Sequence, residues 1–232
     1  MTDKVCAIIG VGPGNGLALS KRFAAGGYRV AMLSRDQTRL AAYARDIPGA
    51  SSYSCDAGDE SSLTAALAAV KRDLGAIDVL IYNVGVGVWT GFEESNAADF
   101  EASWRINTLG LFHAGQAVAA DMTARGGAIL ISGATASVRG GPKTAVFAPA
   151  KAAQRSLAQS MAKTLGPKGV HVAYVIIDGV IDLPRTRAML PDKPDDFFLN
   201  PDDIAEAYYH LTQQGRSAWT FELDLRPFGE KW

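Results

Sequence analysis

Gly10-Val11-Gly12-Pro13-Gly14-Asn15-Gly16 decides the fold of this chain, because it closes one apolar run and opens a helical one. Val5–Ile9 before it is short and β-rich, while Gly16–Ala25 after it is rich in Ala and Leu at helical period. Glycines allow the tight turn and let the backbone come close to a pyrophosphate. The helix start behind them supplies free N–H groups and the positive end of a dipole. Asn15 stands where G-x-G-x-x-G would place its last glycine, so the spacing is G-x-x-x-G-x-G through Gly10, Gly14 and Gly16. A ligand-free turn is the alternative reading. Its place between strand and helix favours dinucleotide binding.

Outward from that turn the same alternation continues. Further strands are expected at Arg29–Ser34, Ser52–Ser54, Val79–Tyr82, Ala128–Ser132, Val170–Ile177 and Thr220–Leu225. Helices are expected at Gln37–Asp46, Glu60–Leu74, Ala97–Ala124, Ala148–Leu165 and Pro201–Gln214. Near-continuous apolar strands such as Val79-Leu80-Ile81 suit a parallel sheet covered on both faces. The order predicts a single-domain α/β, Rossmann-like doubly wound sheet of about seven strands with right-handed crossovers. Pro184–Asn200 breaks the rhythm with Pro184, Pro191 and Pro194, and reads as an irregular lid or substrate loop. Its Leu190, Phe197 and Phe198 imply a partly apolar ligand.

Composition narrows the function classes. The 232 residues suit one large domain, and 23 Lys and Arg against 24 Asp and Glu leave a net charge of −1. That balance gives no electrostatic case for nucleic acid or an anionic membrane. No leader-like or bilayer-long apolar segment is read at the start, and a cytoplasmic location is expected. Cys6 and Cys55 lie in strand-like runs as reduced core residues, and His113, His171 and His210 are scattered, so no metal site is expected.

The second strand ends at Ser34-Arg35, where an acidic residue would hold the ribose of NAD. Arg35 can make charge-assisted bonds to a 2′-phosphate and Ser34 can donate to it, so NADP is favoured over NAD. Arg39, one turn on, offers a second positive charge. The alternative is that both arginines are solvated surface.

With these residues in place the chain resembles the short-chain dehydrogenase/reductase family over nearly its whole length. The glycine pattern fits, with Ile9 where the family usually has threonine. The resemblance carries the adenine-contacting acidic position to Asp56, after Cys55, and the turn closing the fourth strand to Tyr82-Asn83-Val84-Gly85, of which Asn83 and Gly85 match. It makes Asn107 the helix asparagine that holds a proton-relay water, and Lys151 the catalytic lysine that also grips the nicotinamide ribose. It places Ile181 against the cofactor, in Asp178-Gly179-Val180-Ile181, which replaces the family's Pro-Gly segment. It also implies a homodimer or homotetramer paired through the helices around Asn107 and after Phe147.

The departures fall where chemistry is done. The family's general acid is a tyrosine one helical turn before the lysine, and that position is Phe147. Its helper serine falls on Ala134, and its later threonine on Leu183. A phenylalanine offers Lys151 at most a cation–π contact and no proton. Losing such an acid costs about 10²–10⁴ in rate, and losing a hydroxyl donor costs about 10²–10³. Ser132, Thr135 and Ser137 beside Ala134 are substitutes that could bind an oxygen. Arg139 and Lys143 could add charge, but each reads more simply as a solvated loop residue. A tyrosine further upstream, as in enoyl reductases, is absent because that position is Thr144, and His113 reads as packing. Two functions follow: an NADP-dependent oxidoreductase acting on a small carbonyl or alcohol with atypical proton transfer, or a catalytically silent NADP-binding sensor or partner subunit. A non-redox enzyme using Lys151 as base is a weaker third.

Overall fold

The computed structural model describes residues 4–230. Seven parallel strands form one sheet in the order β3-β2-β1-β4-β5-β6-β9. They are β1 (Val5–Ile9), β2 (Arg29–Ser34), β3 (Ala50–Ser54), β4 (Ile77–Tyr82), β5 (Gly127–Ser132), β6 (Val170–Ile177) and β9 (Glu222–Leu225). The helices are α1 (Asn15–Ala25), α2 (Gln37–Asp46), α3 (Glu60–Leu74), α4 (Ala97–Trp104), α5 (Gly110–Arg125), α6 (Phe147–Leu165), α7 (Pro184–Met189) and α8 (Pro201–Thr212). The chain is a single Rossmann-like α/β domain, as the strand and helix alternation predicts.

Alternation along the strands explains the two cores. Val5, Ala7 and Ile9 face one side with α3 and α5 residues such as Leu63, Val70, Leu111 and Val118. Cys6 and Ile8 face the other with Leu19 and Phe23 of α1, Leu40 of α2, and Ile204, Tyr208 and Leu211 of α8. A pleated strand must send successive side chains to opposite faces, so burial on both sides demands apolar residues at every position. Local chemistry sets the helix starts. Asp36 and Asp59 accept from Arg39 N at 3.0 Å and Ser62 N at 2.6 Å, capping α2 and α3. Both cysteines are buried and free, and burial pushes the Cys55 thiol up to about 12, which makes it inert.

Two expected elements differ. The helix expected over Ala97–Ala124 contains one π-turn, Arg105–Leu109, between α4 and α5. Pro184–Asn200 is not irregular throughout. Pro184 opens α7, and β8 (Phe198–Leu199) pairs in parallel with β7 (Val180–Ile181). Arg187 links Asp182 at 2.7 Å to Asp195 at 2.5 Å and lies 4.1 Å above the Phe198 ring. Two-residue strands carry too little periodicity to be read from sequence. Phe198 is buried by this pairing.

The strand order reverses between β1 and β4. In doubly wound sheets the crevice at such a reversal, beyond the carboxyl ends of the strands, is where ligands bind. Here Gly10 follows β1 and Asn83 follows β4.

Candidate active site

A cavity of about 420 Å³ lies at that reversal, walled by the glycine turn, the ends of β4, β5 and β6, and the start of α6. Of the site residues expected from the sequence, Gly10, Gly14, Asn15, Gly16, Asn83, Gly85, Lys151 and Ile181 border it. Ser34, Arg35, Asp56 and Asn107 do not.

The glycine turn is built by close approach. Gly10 has φ +93°, and a Cβ there would sit 2.8 Å from the Asn83 carbonyl oxygen. Asn83 Nδ2 returns a hydrogen bond to Gly10 O at 3.0 Å, which fastens β4 to the turn. At Gly16 a Cβ would lie 2.6 Å from Val11 Cα, so only glycine lets α1 start this close to β1. Gly12 faces open space. The Leu183 side chain lies directly against Gly14.

Beyond the cavity, the end of β2 presents Ser34 and the exposed Arg35. Arg39 is committed to Asp36 at 2.8 Å, so it is not the second free charge that the sequence offers. Asp56, after β3, accepts from Gly58 N at 2.9 Å and is half-buried. Among the described residues, two buried side-chain oxygens have no hydrogen-bond partner: Asn15 Oδ1 at the glycine turn and Ser34 Oγ at the end of β2. Unpaired buried polar atoms are rare and call for a ligand or water. With the open face at Gly12, they fit a bound dinucleotide whose pyrophosphate would reach the turn and whose adenosine ribose would reach the end of β2. When bound, such a cofactor supplies hydride chemistry; the protein binds and orients it.

Lys151 is 2% exposed. Its Nζ donates to Ser132 O at 2.9 Å, Gln154 Oε1 at 3.0 Å and Val84 O at 3.1 Å. Three acceptors match the three protons of an ammonium, whereas burial pulls the pKa down to about 7. The lysine thus ties the ends of β4 and β5 to α6. Asn107, fully buried in the π-turn, spends its side chain on Val86 O at 2.6 Å and Ser103 O at 2.8 Å. Its own carbonyl accepts from Gln154 Nε2 at 2.7 Å. Gln154 therefore links Lys151 to Asn107, the residue that the resemblance makes the holder of a proton-relay water. Sequence reading missed Gln154. Its signal was an amide one turn after Lys151, directly after Ala152 and Ala153.

The opposite end is apolar. Phe147 is 8% exposed, its ring 5.7 Å from Lys151 Nζ and 5.4 Å from the ring of Trp89. Ala134 and Ala136 complete that wall, and Leu183 adds apolar lining at the glycine turn. The apolar lining comes from these residues; Leu190, Phe197 and Phe198 do not border the cavity. Thr135 does border it, and donates to Asp178 Oδ1. His113, Arg139 and Lys143 do not line it.

A parallel sheet with a strand-order reversal, and a glycine turn at the crevice so formed, define a dinucleotide-binding protein of the Rossmann type. The sequence profile of the short chain dehydrogenases matches residues 4–193, and the chain belongs to that family of oxidoreductases. A short-chain dehydrogenase from Rhodopseudomonas palustris is 36% identical, with a TM-score of 0.84 over 97% of this chain and 99% of that one. An alcohol dehydrogenase from the archaeon Thermococcus sibiricus, complexed with 5-hydroxy-NADP, is 25% identical with a TM-score of 0.88 over 98% of both chains. The cyclic-di-GMP-binding biofilm dispersal mediator protein of Escherichia coli (strain K12) is 32% identical over 194 residues, 82% of this chain and 78% of that protein. No helix among the described residues is long and apolar enough to cross a membrane.

Proposed function

We propose that this chain is an NADP-dependent oxidoreductase that moves hydride between its cofactor and a small, partly apolar alcohol or carbonyl compound, with a proton path that avoids residue 147. The carrying observation is the pair of unpartnered buried oxygens, Asn15 Oδ1 and Ser34 Oγ, at the two places a dinucleotide would span. Arg35 beside Ser34, with no acidic residue at either position, favours the 2′-phosphate. The archaeal alcohol dehydrogenase complexed with an NADP derivative supports the same reading. In this reading Gly10, Gly14, Gly16, Asn83, Gly85 and Ile181 shape the cofactor's bed, and Asp56 meets the adenine. Lys151 anchors the ribose only by giving up one of its three present acceptors. The exposed Phe100, Trp104 and Phe112 on α4 and α5 suit pairing with a second copy, as dimer or tetramer.

The second reading is a silent NADP-binding sensor or partner subunit. Phe147 and Ala134 favour it, and so does the likeness to a relative named for binding a signalling nucleotide. Titration with NADPH and NADH, followed by fluorescence, tests the shared premise. Tighter binding of NADPH is expected, and binding of neither overturns both readings. Hydride exchange between NADPH and any member of a carbonyl panel then selects the first.

A further inference from the structure

The polar side chains around the cavity differ in how much of their hydrogen bonding is already spent. Asn83 is committed to Gly10 O and to the Ser132 hydroxyl, which also pairs with Tyr208. Lys151 has all three protons placed. Asn15 lies at the other end, at the glycine turn. Thr135 remains, at the wall with Ala134 and Ala136. Its hydroxyl proton goes to Asp178 Oδ1, which leaves its oxygen lone pairs free to accept.

Asp178 is 7% exposed, just past β6, in the place of the family's proline. Its second oxygen faces Arg226 Nη2 at 3.3 Å and Arg139 Nη2 at 4.0 Å. Arg226 also pairs with Asp224. These are the charged groups around the carboxylate from the segments after β5 and around β9. A buried carboxylate behind a cavity hydroxyl has no role in the tyrosine-based route.

We infer that Thr135 takes the hydroxyl proton of an alcohol substrate and that Asp178, acting through it, is the positioning residue that receives a proton in turn. This rests on the oxidoreductase reading above. The substrate O–H bond breaks and its proton joins Thr135 Oγ1, while the Thr135 proton passes to Asp178 Oδ1. The carbinol C–H pair leaves as hydride to an oxidised nicotinamide dinucleotide, and the carbinol carbon becomes a carbonyl. A hydroxyl is a poor acid alone, but it relays well because it releases one proton as it gains another. With its proton committed to a carboxylate, Thr135 binds a hydroxyl substrate and has nothing to donate to a ketone. The arrangement therefore favours alcohol oxidation over ketone reduction.

The test uses the full chain with NADP⁺ and secondary alcohols from 2-propanol to 1-phenylethanol. Thr135→Val should lower kcat/KM by about 10²–10³, with Thr135→Ser restoring most of it. Asp178→Asn should lower kcat for alcohol oxidation while KM for the alcohol holds, with Asp178→Glu restoring part of it. In the unreactive complex with NADPH, Thr135→Val should weaken 1-phenylethanol binding about tenfold, measured by thermal shift, while NADPH binding holds. If Thr135→Val oxidises alcohols as fast as wild type, the inference is overturned and the oxidoreductase reading stands. An unchanged kcat in a folded Asp178→Asn removes the aspartate's part. If wild type binds NADP⁺ and oxidises no alcohol, the inference falls together with turnover in that direction.

Discussion

The two ends of one cavity obey different rules. At the glycine turn, Gly10 and Gly16 tolerate no added carbon, and the buried Asn15 Oδ1 has no partner. At the Phe147 end, aromatic and methyl groups face each other, and the retained lysine is saturated by the protein itself. In the proposed reading, binding machinery and proton machinery are separable: the glycine turn serves the cofactor, while Phe147 offers no proton. Membership of a dehydrogenase family therefore speaks more strongly for the cofactor than for the reaction route.

The largest effect should come from breaking the retained end. Gly16→Val drives a side chain into Val11 and Gly10, so NADPH binding should vanish in a fluorescence titration. The added strain should cost about 1–3 kcal/mol of stability. Next, Phe147→Tyr with Ala134→Ser tests whether the rebuilt end can revert. Ketone reduction should rise about 10²–10⁴-fold in a spectrophotometric assay. No gain would mean that the Gln154 bridge blocks the older route as well.

Lys151 sharpens the contrast through pH. Its pKa is about 7 when folded against the ordinary 10.5 when unfolded. Between those values the unfolded chain carries a proton that the folded chain lacks, so stability rises with pH. Relative to Lys151→Met, wild type should gain up to about 1.4 kcal/mol per pH unit in urea melts from pH 7 to 10. The acceptors left bare in the variant add only an offset that does not vary with pH. Equal slopes would show that the three acceptors hold the ammonium against burial. The smallest effects lie at the adenosine end. Arg35→Ala should cost about tenfold in NADPH over NADH preference. Arg39→Ala, already paired with Asp36, should change it less than about threefold in the same titration.

Much of this was legible in the chain. Val5–Ile9, Arg29–Ser34 and Val170–Ile177 read directly as strands, because a sheet buried on both faces needs unbroken apolar runs. The glycine turn was legible because steric exclusion acts between neighbours in sequence. Phe147 and Ala134 were picked out by identity alone, at the positions to which the resemblance carries a tyrosine and a serine. Thr135 stood out only as one of three hydroxyls beside Ala134, and Gln154 and Asp178 did not stand out at all. Their roles rest on partners at Asn107, on Asp178 itself and on Arg226, each on a different element.

The sequence by itself determined the doubly wound sheet, the glycine turn and a phenylalanine one helical turn before Lys151, since periodicity, glycine sterics and side-chain identity are local. Only the tertiary structure decided that Lys151 is sealed by three protein acceptors and that a threonine hydroxyl is backed by a buried carboxylate. Hydrogen bonds between distant segments depend on where the sheet brings their ends. No window of sequence contains that geometry.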